Sequence, residues 1–152
     1  MRITRLYWAF FGAGLLVVGG IELAAGILGV SRAVGPVSIG GTYVLWRGII
    51  LATAGGLYTH AVLADVPSVR ERATVVLASG MLWITAGTQL LTAVLEAIPG
   101  GAETWIAPPG AIFGALAPPY VPALIAVLLT LPAIRYVDGI AVIDRLREVV
   151  AS

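Results

Sequence analysis

From Leu6 to Val30 the chain runs without a proline and with one charged side chain, Glu22. A helix needs about 20 mostly apolar residues to cross the hydrocarbon core of a bilayer. This stretch is longer than that. It is also longer than the roughly 7–15 apolar residues of a secretory signal, so it reads as a retained membrane anchor despite following Arg2 and Arg5.

Three further stretches have the same character. The second expected span runs from about Gly41 to Ala64 and carries Arg47 and His60. Gly35 and Pro36 mark a short connection before it. Pro67 stops that helix, and Ser68 with Glu71 has the spacing of a capping box for the next. The third span runs from about Ala73 to Ala97, uncharged until Glu96. Pro99-Gly100-Gly101 then breaks the chain. Proline is tolerated in a first helical turn, where its missing N–H costs nothing. The fourth span is therefore expected over about 118–137, with Pro132 kinking its far end. Residues 103–117 become an interfacial or re-entrant segment, or else the span starts near Ala111 as a kinked helix. After Asp138-Gly139, Ile140, Ile143, Leu146 and Val150 share one helical face, which predicts an amphipathic surface helix over 140–150.

These spans use nearly all of the 152 residues, so one membrane domain fills the chain. Only 11% of residues are charged, where a soluble domain carries about 25%. The expected fold is all-α: a polytopic bundle of four transmembrane helices, running up and down, with the amphipathic helix at its C-terminal end. Cytoplasmic segments of membrane proteins are rich in Arg and Lys. With the N-terminus inside, Arg2, Arg5, Arg70, Arg72, Arg135, Arg145 and Arg147 are all cytoplasmic, and Arg32 alone lies outside. This places the protein in the cell membrane with both termini cytoplasmic. Tyr7, Trp8 and Tyr136 would then mark the inner interface, and Tyr43, Trp46 and Trp105 the outer one. All nine cationic residues are arginine, a bias that fits a GC-rich prokaryotic genome.

Two charges fall at membrane depth. Glu22 lies about seven residues from the outer end of the first span and Arg47 about six from that of the second, each roughly 10 Å down. An isolated charge at mid-membrane costs about 2.5–3.5 kcal/mol on insertion scales. The short connection lets the two meet, and an ion pair is the economical solution. Gly12, Gly19 and Gly26 recur every seven residues as a seam for close helix approach, and Glu22 lies on that seam. On the third helix Thr85, Gln89, Thr92 and Glu96 form a polar stripe, with Gln89 at the depth of Glu22. The outer half of the bundle is thus expected to hold a polar interior of Glu22, Arg47, Gln89 and Thr92, extended by Tyr43, Glu96 and Tyr120. Such a cluster can be a structural network that fixes helix pairing, or a site for a small ligand or ion. A further pattern relates Gly19–Leu23 to Ala86–Leu90 at an offset of 67, placing Glu22 opposite Gln89. It reads either as a duplicated helix pair or as shared composition.

Other chemistry finds little footing. There is no cysteine for disulfides or thiolate chemistry. The one histidine, His60, makes a poor metal site alone and reads as an interfacial or hydrogen-bonded group. No phosphate-binding loop or nucleophile elbow is present, and a net charge of +1 without a basic run gives no case for nucleic acid. The expectation is no enzyme, no cofactor and no metal. The leading function is a non-catalytic membrane subunit or scaffold in the lipid bilayer, packing with itself or with other membrane protein subunits. The alternative is a small oligomeric transporter or channel that uses the Glu22/Arg47 pair.

Overall fold

The structure is a computed structural model and describes residues 2–35, 37–40, 43–64, 68–96, 110, 114, 118 and 120–139. Helix α1 spans Arg2–Leu28. It stops at Gly29, whose φ of 65° only glycine adopts at no steric cost. The Val30 N–H reaches back to the Ala25 carbonyl at 2.9 Å, the Schellman arrangement that satisfies a last-turn carbonyl.

The expected loop over 31–39 contains a small hairpin. Strand β1 (Arg32–Val34) pairs antiparallel with β2 (Val37–Ile39), Arg32 opposite Ile39, around a turn in which Gly35 has a φ of 59°. Strand β2 also bridges in parallel to Tyr120, through a 2.9 Å bond from the Ser38 N–H to the Tyr120 carbonyl. The hairpin is thereby tied to the start of the last helical segment.

Helix α2 (Val44–Leu63) returns antiparallel to α1. The contact between them is the most extensive among the described elements, and glycine creates it. A β-carbon on Gly12 would stand 3.0 Å from the Gly55 carbonyl oxygen, one on Gly19 2.5 Å from the Ala52 nitrogen, and one on Gly26 2.6 Å from Leu45 Cγ. Gly48 and Gly55 supply the matching hollows on α2. The seven-residue seam is thus filled at all three positions.

Helix α3 (Val69–Glu96) follows. Half of the capping box forms at its start: the Glu71 N–H donates to Ser68 Oγ at 3.1 Å. After extended Val121, helix α4 covers Pro122–Leu129, with Pro122 in its first turn, a little later than 118. It then gives way to a 3-10 segment, Leu131–Gly139. Pro132 has no N–H for an α-type bond, and the Ala133 N–H instead reaches the Thr130 carbonyl at 2.8 Å. The stretch expected as one kinked α-helix over 118–137 is therefore two helices of different pitch.

The core lies among α1, α2, α3 and the last two segments. Trp8, Leu15, Leu51, Tyr58, Val75 and Leu82 are buried there. Trp8 and Tyr58 stack with ring centroids 5.1 Å apart and planes 2° from parallel. Trp8, expected at a membrane interface, is fully enclosed, and its indole N–H donates to the Tyr136 hydroxyl at 3.2 Å. Between α2 and α3, the Tyr58 hydroxyl lies 2.7 Å from Ser79 Oγ. The Trp83 indole N–H reaches Thr130 Oγ1 at 2.9 Å.

Among the described residues, two helical stretches, Ile3–Leu28 and Val69–Leu95, are long and apolar enough to cross a membrane. Helix α2 carries Arg47 and His60, which dilute its apolar character, and α4 is only eight residues long. The expected surface helix over 140–150 and most of 103–117 lie outside the described residues.

Candidate functional site

The site builds up from the glycine seam. Because Gly19 on α1 and Gly48 on α2 carry no side chain, the two backbones come close enough for Glu22 and Arg47 to meet at the next turn. Arg47 Nε lies 2.7 and 2.8 Å from the two carboxylate oxygens of Glu22, and Nη2 lies 2.7 Å from Oε1. Nη2 also donates to the Gly40 carbonyl at 3.3 Å, tying the pair to the end of the hairpin. The Glu22 side chain is fully buried and that of Arg47 is 4% exposed. Both carboxylate oxygens face the guanidinium fork, the geometry that makes arginine–carboxylate pairs strong and directional.

Among the described residues, no other expected member of the cluster makes a side-chain hydrogen bond to the pair. Gln89 is half-buried on α3, and its amide makes no hydrogen bond among the described residues. Thr92 is exposed and its hydroxyl donates to the Thr88 carbonyl one turn back. Thr85 is buried and bonds in the same way to Met81. Tyr43 is exposed at the start of α2, without a side-chain capping bond. Tyr120 is half-buried and engages the hairpin through its backbone. Glu96 is the last residue of α3, and its side chain lies outside the described atoms. Of the seven expected members, Glu22 and Arg47 are the two that the described side chains bring into direct contact. Each threonine bond is satisfied within its own helix, which removes the need for a neighbour.

At the opposite end of the molecule lies a group not anticipated as a site. The Glu71 carboxylate is buried, its side chain 6% exposed, with Oε2 lacking a hydrogen bond and 3.7 Å from Nδ1 of exposed His60. The Arg5 guanidinium donates to the Val62 carbonyl at 3.0 Å. The capping-box spacing pointed to Glu71 but sent its carboxylate back to its own helix start, whereas it turns toward α2. No group of three or more metal-ligating side chains occurs among the described residues.

These features define an α-helical protein built on a glycine-seamed helix pair that is locked by the buried Glu22–Arg47 ion pair. Comparison with protein-family models, with curated proteins and with solved structures finds no match to this chain.

Proposed function

We propose that this chain is a multi-pass membrane protein that acts as a non-catalytic subunit or scaffold, with the Glu22–Arg47 pair serving structure. The observation that carries the reading is the completeness of the pair. Each charge is matched by the other, both are sealed from solvent, and Arg47 spends a further donor on the chain's own backbone at Gly40. A site that takes a ligand keeps polar groups free for it; this one commits them internally.

The bilayer setting has its own support. The helices of a soluble core are mostly buried, yet only 22% of the apolar stretch of α1 and 33% of that of α3 is buried within the protein. Ile3, Phe10, Ile27 and Ile84 are each more than 70% exposed. Continuous apolar surface of this kind needs lipid or partner proteins around it. An N-terminal apolar helix can also be a removable leader, but α1 supplies Glu22 and half of the glycine seam. Removing it would leave Arg47 buried and alone. The distribution of arginine favours both ends on the cytoplasmic side, with α2 and the α4 region completing four crossings.

Native purification in mild detergent, with mass spectrometry of what accompanies the protein, tests the reading. The expected result is a fixed membrane partner or a defined homo-oligomer. Ion or solute flux in liposomes that vanishes in a folded Glu22→Gln variant would overturn it in favour of transport.

A further inference from the structure

Helices α1 and α4 barely touch along most of their length. Between them runs a groove of about 590 Å³ whose walls include Tyr7, Gly14 and Ile21 of α1, Ile125 and Leu129 of α4, and Ile39 of β2. One end is tied across by the Tyr7 hydroxyl, which donates to the Leu129 carbonyl. The other is roofed by the hairpin. The only polar side-chain atom among its lining residues, the Tyr7 hydroxyl, is thus already engaged, and the occupant must be apolar along its length.

The dimensions narrow the choice. Tyr7 to Ile21 is about 21 Å of helix at 1.5 Å per residue, and the groove of about 590 Å³ runs along that length. An α-helix with its side chains is about 10–12 Å across and does not fit inside a groove of that volume and length. A hydrocarbon chain, with neighbouring carbons about 4 Å away, does. Charge agrees: the Tyr7 end of the molecule carries Arg5, Arg70, Arg72 and Arg135 against Glu71 among the described side chains, which suits a phosphate headgroup there. We propose that this groove holds one acyl chain of a membrane phospholipid as a fixed component of the fold. The proposal rests on the membrane reading above.

Gly14 offers a clean way to block the groove, because a β-carbon there meets nothing within 4 Å. The experiment uses the full chain in phosphatidylethanolamine–phosphatidylglycerol vesicles doped with a phospholipid that carries a mid-chain diazirine. After photolysis, adducts are mapped by mass spectrometry. The expected result is labelling concentrated severalfold on Phe10, Ile125 and Leu129 over exposed Ile84 and Leu91 of α3. In Gly14→Phe the groove label should fall severalfold while label on α3 is unchanged. Label spread evenly over all exposed apolar positions would overturn the proposal and leave the membrane reading standing. A groove that stays unlabelled while α3 reacts would overturn it in favour of a protein occupant. No label anywhere would overturn the membrane reading itself, and the lipid chain with it.

Discussion

Gly19 of α1 and Gly48 of α2 sit backbone to backbone. A β-carbon on Gly19 would stand 2.9 Å from the Gly48 carbonyl oxygen, and one on Gly48 3.1 Å from that of Gly19. Neither position tolerates a methyl group unless the helices separate. Gly19→Ala should therefore destabilise by about 1–3 kcal/mol, the usual cost of overpacking. Gly20→Ala, one residue away with open space around it, should be neutral or stabilise by up to about 1 kcal/mol through helix propensity. Reversible unfolding in mixed micelles measures both; equal effects would disprove the seam.

The ion pair predicts non-additivity. Glu22→Leu or Arg47→Met alone strands a buried charge and should cost about 3–5 kcal/mol. The double variant removes both charges and should recover most of that loss, since apolar replacements of a buried pair are often neutral. A double variant as unstable as the sum of the singles would show that the two residues are not coupled.

Tyr58 contributes mainly through its ring. It stacks on Trp8 and meets Phe11 edge-on at 5.1 Å, while Ser79 keeps a 2.8 Å bond to the Val75 carbonyl whether or not Tyr58 has a hydroxyl. Tyr58→Phe should cost about 0.5–1.5 kcal/mol and Tyr58→Ala about 3–5 kcal/mol. Denaturant titration distinguishes these values.

The absence of cysteine makes a topology test simple. Single cysteines at Ala33 on the hairpin and Val69 at the start of α3, both exposed, should react with a membrane-impermeant maleimide from opposite sides in oriented vesicles. Ala33→Cys should label from outside and Val69→Cys only after permeabilisation. Labelling of both from one side would contradict the single crossing, α2, between them.

Much of the first helix pair was legible in the chain. A charge within a long apolar run has few ways to exist, so Glu22 and Arg47 indicated each other, and glycine at seven-residue spacing marked the contact face. The third helix misled for a related reason. Thr92 satisfies its hydroxyl one turn back along its own backbone, so a polar stripe need not face a polar interior. The aromatic core was hidden because Trp8 near a helix end resembles an interfacial anchor. Only the distant partners Tyr58 and Tyr136, brought up by the fold, enclose it. Three-residue strands are too short for alternation to declare them, and the Val37–Tyr120 bridge depends wholly on tertiary structure.

The two charges of the locked pair are 25 residues apart, which bears on how such a chain is made. Synthesis runs from the N-terminus, so Arg47 emerges soon after Glu22 and before α3 exists. The first hairpin of helices can hide its own acid and base at once, without waiting for later segments. The hairpin's link to Tyr120, by contrast, closes only when α4 arrives. Biogenesis on this plan has an early, self-sufficient half and a late clasp. Variants that weaken the clasp should yield a protein that inserts but stays unfinished, recognisable by protease cleavage between α3 and α4 while the first pair survives intact.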